Sequence, residues 1–85
     1  MGQHKPELTL DKSATYRIVW QGHLDESWSD YVGGLTISTG LDEGHHFITI
    51  LTGQVKDQAM LMGILSAVYD WHHMPLLSVE CISLD

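Results

Sequence analysis

The stretch from Asp57 to Pro75 constrains this chain more than any other. Asp57 is a suitable helix N-cap, with a carboxylate placed at the positive end of the dipole. Ala59 to Tyr69 consists largely of good helix formers, and Pro75 forces a stop. At about 100° per residue, Met60, Leu61, Ile64, Leu65, Val68 and Trp71 share one face, so Trp71 reads as core. Met62, Ala67 and Tyr69 widen that face past half the circumference, leaving a stripe of Ala59, Gly63, Ser66 and Asp70. A helix that covers one sheet needs a narrower apolar stripe. The width predicts a second contact.

Strand patterns flank this helix. Tyr16, Ile18, Trp20, Gly22 and Leu24 alternate with Arg17, Val19, Gln21 and His23, which predicts a strand with one buried face. Asp25 or Ser27 can cap a short helix or 3₁₀ turn that Gly33-Gly34 ends. Leu35 to Thr39 reads as a second strand, and Gly40 to Gly44 as a hairpin loop. The third strand, His46 to Thr52, is apolar on both sides, with Phe47 and Leu51 opposite Ile48 and Ile50. A sheet covered by one helix needs one apolar face, so the second face again asks for a partner. After Pro75, Leu76 to Ile82 forms the last strand, with Leu77, Val79 and Cys81 on one side. The predicted fold is therefore α+β: an antiparallel sheet of about four strands with one main helix on one face. Its element order is the ferredoxin-like split βαβ with a shortened first helix, or βββαβ if residues 25–32 form only a loop.

The 85 residues make one domain, with residues 1–14 as a flexible arm and 15–85 as the folded body. In the arm, Leu8-Thr9-Leu10 is a weak candidate for an edge strand. A core this small is marginal without a disulfide, a metal or a second subunit. Cys81 is the single cysteine, which excludes an internal disulfide and, with no signal peptide, suggests a reducing cytoplasm. The longest apolar-rich run is too short to cross a bilayer. From Ile18 onward nine acidic residues stand against Lys56 alone, a formal −8, and this repels nucleic acid.

Gly22-His23-Leu24-Asp25-Glu26-Ser27-Trp28-Ser29-Asp30, Leu51-Thr52-Gly53, Asp57-Gln58-Ala59 and Pro75-Leu76-Leu77-Ser78-Val79-Glu80 together resemble a family of short bacterial proteins to which no function is assigned. The resemblance spans roughly residues 16–82 and implies no activity. In that group a glycine commonly follows the helix. Here His72-His73-Met74 stands instead, so the easy left-handed glycine cap is missing. A weaker similarity of element order links the chain to ACT-type regulatory domains.

Six histidines raise the possibility of a metal site, but His45-His46 point to opposite sides of an extended chain, and His72-His73 diverge at a helix end. No metal or cofactor is expected. His23, Asp25, Ser27 and Asp30 supply hydrolytic residue types, yet a capped turn requires the same residues and no G-x-S-x-G elbow exists. Cys81 reads as a small hydrophobe on an apolar strand face. Trp28 and Tyr31, with Gly33 beside them, are the candidate ligand-binding residues, with Trp28 as a lid on the core as the structural alternative. Ile48, Ile50, Met62 and Tyr69 are the candidate interface. The leading expectation is a non-enzymatic homo-oligomer with an interaction or scaffolding role. The alternatives are an ACT-like small-ligand sensor and a small hydrolase built on His23 and Asp30.

Overall fold

In the computed structural model, residues 13–84 are described. Strand β1 (Ala14–Gln21) leads through a 3₁₀ segment (Glu26–Val32) to β2 (Thr36–Leu41) and β3 (Phe47–Val55). Helix α1 (Gln58–His72) and β4 (Leu76–Leu84) come next. β1 opens at the last residue of the expected arm; residues 1–12, with Leu8-Thr9-Leu10, lie outside the described residues. The chain is α+β, with one main helix on an open antiparallel sheet of order β2-β3-β1-β4. Every neighbouring pair is antiparallel. β3 and β4, which α1 joins, therefore run in the same direction on either side of β1.

The first connection is a 3₁₀ segment rather than an α-helix, and its two ends explain its brevity. The Asp25 side chain accepts the Ser27 N–H at 2.9 Å, and Gly33 and Gly34 both take positive φ. A Cβ on Gly33 would stand 2.6 Å from Met60 Cε, so a side chain there would have to displace the methionine tip as well as hold a left-handed backbone. Helix α1 starts where the sequence indicates, with Asp57 accepting the Met60 N–H at 2.8 Å. Its end differs from expectation. His73 itself adopts the left-handed conformation (φ 54°) and donates its N–H to Tyr69 O at 2.9 Å. A cap that glycine fills without strain is filled by histidine, at a cost of about 1 kcal/mol.

The core gathers Ile18, Trp20, Leu24, Leu51 and Val55 under Leu61, Ile64 and Val68 of α1. Thr49 is the buried polar residue in this set, and both roles of its hydroxyl are used. It donates to Gly22 O at 2.7 Å and accepts from Leu24 N at 2.9 Å, which turns the chain out of β1. Ile48 and Ile50 alternate to the opposite face beside Val19 and are half-buried. α1 packs against β3 and the 3₁₀ segment. No helix among the described residues is long and apolar enough to cross a membrane.

Candidate functional site

Two features stand out against this frame, and both arise because α1 leans toward β3. The first is β4. All nine of its residues are exposed, including Leu76, Leu77, Val79, Ile82 and Leu84. Register makes the contrast plain: Ile18 faces Leu51 on one side and Val79 on the other, yet Leu51 is 0% exposed and Val79 39%. Cys81, expected on a buried apolar face, is exposed as well, because among the described residues β4 is an edge strand whose inner face the helix does not cover. Between α1 and β4 runs an open groove of about 260 Å³, lined by Trp20, Leu65, Ser66, Tyr69, Asp70 and Leu76. Trp20 Nε1 is buried and has no acceptor among the described residues.

β4 carries little of the usual protection of an edge. Its single charge, Glu80, is paired across the strand boundary with Arg17 at 2.9 Å. Both side chains are more than a third exposed, so the pair adds little stability and leaves the edge close to neutral.

The second feature is aromatic. Trp28, on the 3₁₀ segment, lies 5.0 Å from Tyr31 and 6.3 Å from Trp71 between ring centroids, tilted by 54° and 49°. His72 meets the Trp28 ring edge-on at 4.5 Å. Ser27, Trp28, Tyr31 and Trp71 enclose an open cavity of about 390 Å³. Behind it a recess of about 80 Å³ is closed by Val32, Ala67, Val68 and His72. Trp71, expected in the core, is 72% exposed. At the helix end the facing element is the short 3₁₀ segment, and His72 takes the packing position on Trp28 that the helical period assigned to Trp71.

The structure places Trp28 and Tyr31, two of the candidate ligand-binding residues, side by side, with Trp71 and His72 against them. Gly33 is not brought to the cavity lining, since it packs on Met60 and Ile64 near the start of α1. The interface candidates fall on separate surfaces. Ile48 and Ile50 lie on the sheet face away from α1, Met62 is exposed on the helix, and Tyr69 borders the groove beside β4. Nothing in the sequence marks Trp71 and His72 as neighbours of Trp28, because that depends on where the helix end comes to lie, and nothing in one strand's sequence marks it as uncovered.

The polar clusters are occupied locally. Ser27's N–H holds the Asp25 carboxyl below the usual aspartate range, aided by the Ser27 hydroxyl. The N–H of His46, then that of Gly44, does the same for Asp42 in the β2–β3 loop. His45 takes a positive φ there, and His46 lies 3.4 Å from Asp42. Among the described residues no group of three or more His, Cys, Asp or Glu converges as metal ligands would. His23 tilts against Phe47 at 6.1 Å.

The family described as "Domain of unknown function (DUF8691)" matches residues 15–80, and the chain belongs to it. Neither the curated proteins nor the solved structures give a match.

Proposed function

We propose that this member of the DUF8691 family is a non-enzymatic, self-associating domain in which a second copy covers β4 and the groove beside it. The observation that carries this reading is β4 itself, nine consecutive exposed residues of which five are large and apolar. A long, apolar, nearly uncharged edge strand is a template for strand pairing unless something covers it. Antiparallel pairing of two β4 strands is self-complementary, so one contact made twice closes a dimer. The groove supplies additional apolar area in Tyr69, Leu65 and Leu76. That addition matters, because a stable interface needs about 800 Å² from each partner. The strand order supports a ferredoxin-like reading in which a short 3₁₀ segment replaces the first helix and leaves the sheet undercovered. In a reducing cytoplasm the exposed Cys81 remains a thiol, and the pairing needs no disulfide.

Sedimentation velocity at micromolar concentration tests this reading. The wild-type chain is expected to run as a dimer or larger. Val79→Lys, which places a charge on an already exposed position, is expected to give a folded monomer. A wild-type monomer across the micromolar range overturns the reading.

A second reading, a small-ligand sensor, is favoured by the aromatic cavity of Trp28, Tyr31 and Trp71. A ligand-dependent rise in melting temperature that Trp71→Leu removes is its expected signature.

A further inference from the structure

We propose that the cavity between Trp28, Tyr31 and Trp71 binds a small organic cation bearing a quaternary or other methylated ammonium group. This rests on the second reading above, that the cavity takes a ligand, and names the ligand's chemistry. It does not depend on association between copies.

Three observations converge on that chemistry. The first is the shape and composition of the wall. Tyr31 and Trp71 both lie beside Trp28 at inclinations near 50°, so the three rings gather at one open depression rather than stacking flat on one another. A ring face carries partial negative charge, and a methylated ammonium ion gains most when several faces surround it. The cavity of about 390 Å³ lies within the usual size range of small-molecule sites.

The second is the scarcity of hydrogen-bonding groups. The polar groups of the outer lining are the Ser27 and Tyr31 hydroxyls and the indole N–H groups, and the recess behind is closed by Val32, Ala67, Val68 and His72, whose Nε2 is buried without a partner among the described residues. A sugar, a carboxylate or a phosphate would lose its hydration here with few donors to replace it. A quaternary ammonium has no N–H to satisfy and loses the least.

The third is charge. Among the described residues Asp25, Glu26, Asp30, Asp42, Glu43, Asp57, Asp70 and Glu80 stand against Arg17 and Lys56, eight acids to two bases. The segments that carry the three rings contribute Asp25, Glu26, Asp30 and Asp70 and no lysine or arginine. Arg17 is held by Glu80, and Lys56 lines a different depression with Ser13, Gln54 and Met60. The Ser27 N–H that fixes the 3₁₀ segment also keeps Asp25 ionised beside a residue of the cavity wall. The field over the cavity therefore attracts a cation and opposes an anion.

The test is titration of the full chain with choline and with tetramethylammonium, at constant ionic strength, followed by tryptophan fluorescence and calorimetry. The control ligand is choline's uncharged carbon isostere, in which a tert-butyl group replaces the trimethylammonium. Choline is expected to bind saturably and about tenfold or more tighter than the isostere. Trp71 is exposed, so its replacement leaves the core intact. Trp71→Leu is expected to weaken choline about tenfold while Trp71→Phe retains part of the affinity. Equal binding of choline and the isostere, with both lost in Trp71→Leu, overturns the cationic chemistry and leaves the cavity as a ligand site. No saturable response to any of the three compounds overturns the proposal. If a broader panel of amino acids and nucleotides also leaves the melting temperature unchanged, the sensor reading falls with it.

Discussion

β3 and β4 are both nine-residue strands flanking β1, joined to each other by α1, and their environments could hardly differ more. β3 sinks Thr49, Leu51 and Val55 into the core, whereas β4 buries nothing. Both are rich in apolar residues, so hydrophobicity does not separate them. Position under the helix does. α1 packs on β3 and the 3₁₀ segment, and the strand it leads into is left at the edge. A single helix too narrow to cover four strands covers the side where its first partner lies, and the remaining apolar strand becomes surface available for another purpose.

Truncating the matched residues on either side of Ile18 measures how differently the two strands are covered. Leu51→Ala should destabilise the fold by about 3 kcal/mol, since Leu51 is fully buried and leaves a cavity. Val79→Ala, measured by urea denaturation at a concentration where the chain is monomeric, should cost under about 1 kcal/mol. Comparable losses would mean that β4 is covered within one chain.

Gly33→Ala tests how tightly the covered side is closed. The added methyl meets Met60 Cε and Ile64 Cδ1 at a positive φ, and a loss of about 2 kcal/mol is expected in thermal melts. The opposite sign is expected at the other end of α1. His73→Gly relieves the left-handed cap and should stabilise the domain by about 0.5–1 kcal/mol, without altering the aromatic cavity in an indole NMR spectrum.

The smallest effect is expected on β4 itself. Glu80→Gln removes the exposed pair with Arg17 and should shift monomer stability by about 0.5 kcal/mol or less, vanishing at high salt. Acid should act elsewhere. Asp25 and Asp42 both have lowered carboxyl values, so the turns they hold are stabilised above the usual aspartate range and loosen as pH falls through the lowered values. Protection of the Ser27 and His46 amides, relative to their intrinsic exchange at the same pH, should fall below about pH 4, before that of any core amide.

Much of this architecture was legible in the sequence because it depends on near neighbours. Asp57 caps α1 and Asp25 caps the 3₁₀ segment, Gly33-Gly34 end that segment, and the alternation through Trp20 marks the buried face of β1. Each is a local hydrogen bond, a permitted φ, or a two-residue period. Where expectation and structure part, the missing fact was always the position of another element. Trp71 has the period of a core residue and lies outside, because the element opposite the helix end is short and His72 reaches it first. Cys81 and Val79 have the pattern of a buried strand face and lie exposed, because the helix leans the other way. The aromatic cavity was half legible for the same reason: Trp28 and Tyr31 are three residues apart in one segment, while Trp71 and His72 come from the far end of α1.

The wide apolar face of α1 was the sequence's clearest statement, and its meaning depends on this division. The sequence specifies the elements, the N-caps of the helical segments, the inward side of β1 and a surplus of apolar surface over what one small core can hold. Where that surplus emerges, on β4, on Tyr69 and around Trp71, follows from how the elements pack together. Periodicity states which residues avoid water along one element, but the lean of a helix is set by the packing of all its neighbours at once.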